Sequence, residues 1–488
     1  TIVQTKERDQ ESIGKTSATN IQFLLSFFEL DQSNWMKQCD ATYNLGFEYY
    51  NFYQNESYFQ QPFAKVSIPE DQQLKFDYFS LFDMKSLYSQ TINNNDLLHF
   101  ISPVSWMITR NKMATKITDL IDVNKSQNLN SFSAYHFNSH ALVDILKKSY
   151  EDYISVYKVK EPQVNLNKDG SIESISFNDL VGSKISADLY IDCSQNSILT
   201  KHLNKKFIQA ESLVNNSQIH FSVPYEDEKA RIKNIKNTTS IVAVDNGSAK
   251  KTPLWNSCEF EYNYSSDFIS DDQLKETLTN LYGKNVAFKK VNFSQGRYED
   301  AIQKNIFSIG DAFSVVENLS SDKFDFLIQG CIELLQNNSP TEFYIDRIDK
   351  LRINENYRHF CQKQIELLTY TYLFSKKDNN DYWKYVTSDE IFNKSFECMR
   401  DFSRIHSANI LMKHQNLFTL ALGYDLANPI VPFDIQSLSR VNSDIKSHFE
   451  YLYQGYKTFM SSYEHKIESF TDTYHFTMDH VYAQPNTE

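Results

Sequence analysis

The sequence predicts an α/β fold over its first two thirds, followed by a mainly helical region. Three observations carry this reading. Short apolar runs are separated by turn residues, helical apolar spacing lies between some of them, and a helical pattern rich in Tyr, Phe and Leu runs from about residue 330. No internal repeat and no long linker interrupts the chain. Residues 1–330 and 331–488 are therefore read as an α/β region and a helical region packed on it, one continuous unit.

In chain order, Thr1-Ile2-Val3-Gln4 is a short apolar strand candidate, followed by a polar turn and an apolar segment from Ile21 to Leu30 that suits a buried helix. His136-Phe137-Asn138-Ser139-His140 leads into Ala141-Leu142-Val143-Asp144-Ile145-Leu146, a helical pattern opened by the capping types Asn and Ser. Val164 to Ile172 reads as a hairpin, with Asp169-Gly170 as its turn. Asp188 to Cys193 reads as a buried strand. Phe307-Ser308-Ile309-Gly310-Asp311-Ala312 reads as a strand ending in a turn, before an apolar helix from Phe324 to Leu335.

Composition narrows the function. Hydrophobic residues at 41% and aromatics at 14% are enough for a large core. A net charge of -13 argues against sequence-independent binding of nucleic acid or an anionic membrane, both of which need a basic face. Six scattered cysteines without a C-x-x-C suit reduced core thiols. His136 and His140 are four apart, but the acid of H-E-x-x-H is missing between them, so a plain helix start is preferred to a metal site. No apolar run approaches the roughly 20 residues of a membrane span and no signal peptide is visible, so a cytoplasmic location is expected. Glycine is scarce: there are 11, and none lie two apart, so Gly-x-Gly occurs nowhere. Close approach of backbone to a dinucleotide pyrophosphate normally needs that motif.

Several segments share the order and spacing of one family. They are Trp35-Met36-Lys37-Gln38-Cys39-Asp40-Ala41-Thr42-Tyr43, Tyr135-His136-Phe137-Asn138-Ser139-His140, Ala187-Asp188-Leu189-Tyr190-Ile191-Asp192-Cys193-Ser194, Ser308-Ile309-Gly310-Asp311 with Val316-Glu317, and Tyr382-Trp383. Together they resemble the flavin-dependent tryptophan halogenases over nearly the whole chain. The resemblance implies a flavin-monooxygenase-like α/β box with a mainly helical pyramid over it. In active members of that family, reduced FAD and oxygen yield hypohalous acid, which travels through a tunnel to a lysine beside the indole.

The family's functional positions carry over with losses. Its strand-turn-helix bearing Gly-x-Gly-x-x-Gly would precede Thr1, and its Gly-x-Gly-Glu-Ala-Thr is similar to Gly14-Lys15-Thr16-Ser17-Ala18-Thr19, without the second glycine and the acid. The catalytic lysine falls on Asn44, whose amide supplies neither an amine nor a charged donor. The catalytic glutamate of Glu-Ser-Thr-Gly falls on Ser320, followed by Ser321, Asp322 and Lys323. An acid at 322 would repel a halide at close range by roughly several kcal/mol. Glu317 falls on a structural Val-Glu-Pro position, and Trp-x-Trp-x-Ile-Pro is replaced by Ser248-Ala249-Lys250-Lys251-Thr252-Pro253.

Retained positions are Gly310, Asp311 and Ser321 for the cofactor, and His99 with Phe100 for an aromatic substrate. For His99, packing in the core is the competing reading. The resulting expectation is a catalytically degenerate homologue that binds no cofactor. It would serve as a binding protein or as a partner, in a homodimer or in a heterodimer with an intact paralogue. Two rivals stand: an FAD-dependent monooxygenase or halogenase acting on an aromatic substrate with a rebuilt site or a missing N-terminus, and a binder of aromatic small molecules around His99.

Overall fold

The computed structural model describes residues 1–5, 14–63, 88, 93–118, 126–160, 162–177, 184–203, 205–283, 286–320, 322–336, 345–395, 419–420, 423–424 and 443–485. Its largest sheet has seven strands. In spatial order they are Lys289–Asn292, Ser217–Pro224, Ser257–Tyr264, Gly247–Pro253, Thr239–Val244, Gly46–Tyr50 and Tyr58–Pro62. All neighbours are antiparallel except Thr239–Val244 with Gly46–Tyr50, where the chain joins two distant segments in parallel.

The two faces of this sheet differ in chemistry because side chains alternate along each strand. One face presents Ile219, Phe221, Ala249, Tyr262 and Tyr264 to Leu274 and Leu278 of the helix Asp271–Tyr282. That helix starts at a capping box, in which Ser270 accepts from Gln273 N and the Gln273 side chain returns to Ser270 N. The other face carries Gln218, His220, Lys250, Glu259, Glu261 and Asn263, all buried. Burial of a polar face is affordable only when every group finds a partner. The cover comes from a three-stranded sheet of Gly14–Thr16, Ala134–Asn138 and Thr42–Asn44, and from residues 316–320 ahead of the helix Asp322–Leu335.

The α/β region also contains the parallel pairs Ile2–Thr5 with Val156–Val159 and Tyr190–Asp192 with Ile306–Ser308. The expected hairpin is present: Pro162–Leu166 pairs with Ile172–Phe177 through a turn in which Gly170 has φ +77°. Helices Arg347–Leu373, Asp381–Val386 and Asp389–Lys394 follow, with Ser443–Glu468 nearer the end. Arg347–Leu373 and Asp381–Val386 close a core in which Tyr357, Tyr382, Trp383 and Phe307 are almost fully buried, whereas Ser443–Glu468 packs Tyr463 and Ile467 into a second core with Trp35 and Tyr135.

Two expectations need correction. The segment from Ile21 is a helix only to Phe27. It buries Ile21 and Leu25 while Phe23 and Phe27 are exposed, so it is amphipathic and not wholly buried. His136 lies on the strand Ala134–Asn138, and the helix begins only at Ser139, capped by Asn138, which accepts from the backbone N of His140 and Ala141. The two histidines therefore share no helical face. Among the described residues no helix is long and apolar enough to cross a membrane.

Candidate functional site

The polar face of the large sheet is organised in cross-strand rows. Lys289, His220, Glu261 and Lys250 stand opposite one another on four adjacent strands, so antiparallel pairing alone brings these titratable groups together. Lys250 Nζ lies 2.9 Å from Glu261 Oε2 and donates to the Asn318 carbonyl at 2.8 Å. The Asn318 amide returns to Glu261 Oε2 at 3.0 Å. Lys15 Nζ, from the covering strand, is 3.7 Å from Glu261 Oε1. Burial pushes the Glu261 carboxyl up, but the Lys250 and Lys15 charges outweigh it and hold the group well below the usual carboxylate range.

His220 has a fixed tautomer. The Gln218 amide donates to Asn263 Oδ1 at 2.7 Å, which turns its oxygen toward His220 Nε2 at 2.7 Å, so Nε2 carries the proton. Burial pushes the imidazole down to about 3 against the pull of Glu261, and Lys15, Lys250 and Lys323 push the same way as burial. The ring is neutral, and its Nδ1 is a buried acceptor without a hydrogen bond.

Asn44 heads a second, directed network. Its amide donates to Thr16 Oγ1 at 2.8 Å and to the Ser17 carbonyl at 3.3 Å, and its oxygen accepts from Gly46 N. Thr16 meets Thr239 at 2.8 Å, and Thr239 meets His136 Nε2 at 3.0 Å. His136 Nδ1 lies 3.0 Å from Thr42 Oγ1, which donates to the Pro253 carbonyl. Because Thr16 accepts from Asn44 and Thr42 gives its proton to a carbonyl, one polarity satisfies every group: hydroxyl protons run from Thr16 toward His136 Nε2, and Nδ1–H points to Thr42. Burial, then the Lys250 charge, pushes His136 down to about 3, which keeps it neutral as this polarity requires.

The other sequence candidates are dispersed around this centre. Gly310 has φ +58°, in the left-handed region that favours glycine, and its N–H donates to Tyr357 Oη at 3.0 Å. Asp311 lies 3.5 Å from Lys323. Ser320 is half-buried, whereas Ser321 and the side chains of Asp322 and Phe100 lie outside the described residues. Glu317 is buried and accepts from Asn215 at 2.6 Å, inside a group with Tyr372 and Tyr382. His99 stacks on Trp106 of its own chain, centroids 4.4 Å apart, and its Nε2 meets Thr109. Burial pushes His99 down to about 4. The face of this imidazole is thus covered by an internal indole.

Gly14 is pressed against the protein itself. A Cβ there would stand 2.4 Å from Glu259 Cγ and 3.0 Å from Leu254. Gly14→Ala is expected to cost about 1–3 kcal/mol by overpacking, read as a lower urea midpoint; an unchanged midpoint would show that Glu259 swings clear. Among the described residues no group of three or more His, Cys, Asp or Glu could hold a metal ion. Sequence inspection passed over Lys250, Glu261 and His220 as a set, although Glu259-Phe260-Glu261-Tyr262-Asn263 alternates polar with aromatic residues and thereby marks a polar face.

Comparison with known proteins places this geometry. Residues 1–429 match the family model described as tryptophan halogenase. Among curated relatives, tryptophan 7-halogenase RebH of Lentzea aerocolonigenes is 21% identical over 406 residues, covering 79% of this chain and 73% of its own length. The 7-chloro-L-tryptophan 6-halogenase KtzR of Kutzneria sp. is 24% identical, covering 79% and 76%. Among solved structures, the apo structure of VirX1 superposes with TM-score 0.84 at 19% identity, covering 99% of this chain and 94% of the other. The flavin-dependent halogenase BrvH from Brevundimonas sp. BAL3 does so with TM-score 0.79 at 16% identity, covering 98% and 93%. These structural likenesses carry the fold, a mixed α/β halogenase fold with a multi-stranded sheet. With the family model matched over most of its length, the chain belongs to the tryptophan halogenase family.

Proposed function

We propose that this protein is a non-halogenating member of its family that keeps the fold for binding. The observation that carries the reading is Asn44. It stands where the family pattern has its lysine, it is completely buried, and both ends of its amide are committed to Thr16, Ser17 and Gly46. An amide so placed offers neither an amine lone pair nor a charged donor to an oxidised halogen, and its N–H groups are already committed. The residues at the flavin positions fit FAD poorly for the same reason. The space beside Gly14 is taken by Glu259 and Leu254, and the Gly310 N–H is used by Tyr357.

The test is the absorption spectrum of the full-length protein, titrated with oxidised and reduced FAD, followed by assay with reduced flavin, halide and tryptophan. The expected result is no stoichiometric flavin and no halogenated product. A tightly bound flavin with turnover would overturn the reading and establish an FAD-dependent enzyme with a rebuilt site.

A further inference from the structure

The row on the polar face contains an arrangement that packing does not explain. His220 is 8% exposed, and its tautomer leaves Nδ1 as a bare acceptor. That atom faces Glu261 Oε1 at 3.8 Å, so two acceptors look at each other on a buried floor. Protonating His220 would resolve the conflict, but burial together with Lys15, Lys250 and Lys323 opposes it. Glu261 Oε2 is held at short range by Lys250 and Asn318, whereas the Asn318 contact to Oε1 is 3.4 Å. The floor therefore favours a group bearing N–H or O–H hydrogens.

Beside this floor stand two ammonium groups in long pairings. Lys15 is 3.7 Å from Glu261, and Lys323 is 3.5 Å from Asp311 with Phe293 beneath it. Charge-assisted hydrogen bonds are typically about 2.7–2.9 Å. The Lys15 and Lys323 side chains are 27% and 24% exposed, so solvent reaches both, while Lys250 is sealed beneath. Lys289, in register with His220, adds a further positive charge to the row.

Resting on the binding reading above, we propose that this site takes a small α-amino or α-hydroxy carboxylate: its N–H or O–H donor meets His220 Nδ1 and Glu261 Oε1, and its carboxylate meets Lys15 and Lys323. A simple anion would leave the two facing acceptors unsatisfied, and a simple amine would meet the lysines with like charge.

The experiment is calorimetric titration of the full-length protein with L-alanine, L-lactate, acetate and methylammonium. Alanine or lactate should bind at least about tenfold more tightly than acetate or methylammonium, and whichever of the two leads assigns the donor as amine or hydroxyl. Lys15→Met and Lys323→Met should each weaken that binding by about tenfold while the protein stays folded by far-UV circular dichroism. Acetate binding as tightly as lactate, no heat from any of the four, or affinity unchanged in both lysine variants would each overturn the proposal. Flavin content and turnover of the same preparation separate the two readings: bound flavin with turnover removes the binding reading, whereas flavin absent with no probe bound removes this site alone.

Discussion

Lowering the pH from about 7.5 to about 5 is expected to remove about 4 kcal/mol of stability, from His136 and His220 alone. Both imidazoles are pushed from the ordinary 6.5 down to about 3, first by burial and then by nearby lysines. Between those values the unfolded chain takes up protons that the folded chain refuses, so stability is full above the ordinary value and is lost as the pH falls through the window. Each histidine contributes about 2 kcal/mol of that loss at about pH 5. His99, pushed to about 4, acts in the same sense. Glu261, held below its ordinary value, adds a further loss only in the carboxylate range, and Glu259, raised by burial, works against it there. Urea unfolding at the two pH values measures the difference. A midpoint that does not move would mean that His136 and His220 are charged in the fold, and the polarity assigned to the hydroxyl chain would be wrong.

Lys250→Ala is expected to cost about 3–5 kcal/mol, because it leaves Glu261 charged and buried with its closest counter-ion gone. The Asn318 carbonyl loses its donor in the same step. Replacing both members, Lys250→Met with Glu261→Met, should cost much less than the single change, since no unpaired charge remains. Chemical denaturation of the single, the double and the parent proteins gives the coupling directly. If the double variant is as unstable as Lys250→Ala, the loss comes from packing and not from the stranded carboxylate.

What the sequence made legible was local chemistry. The hairpin at Asp169-Gly170 is written in adjacent residues: Gly170 takes the positive φ and the Asp169 carboxylate accepts from Ser171 N. The position of Asn44 follows from its distance to Trp35 along an ungapped segment. Its partners do not, because Thr16 lies 28 residues away and Thr16 reaches Thr239 across 223. The alternation of Glu259, Glu261 and Asn263 with aromatics promises one wet and one dry face. Only the tertiary structure shows the supposed wet face roofed by Gly14–Thr16 and by Asn318. His136 reads as part of a helix start for a related reason: Tyr135-His136-Phe137 ahead of Asn138-Ser139 fits the end of a strand as well as the approach to a helix, and sheet partners at Thr42 and Thr16 decide it.

The Lys250–Glu261 pair also acts on chains that have not yet reached this fold. Sliding Gly247–Pro253 two residues along Ser257–Tyr264 keeps the antiparallel ladder pattern, less the pairs at one end, and leaves every apolar side chain on its proper face, so side-chain facing does not distinguish the slipped state. The charges do. In one direction Lys250 meets Asn263 and Glu261 meets Thr252 in place of each other; in the opposite direction Lys250 meets Glu259 and Glu261 is left facing Ser248. Each misaligned sheet would have to desolvate a charge without compensation, which makes this buried pair a proofreading element for strand alignment during folding, whatever its net contribution to the finished molecule.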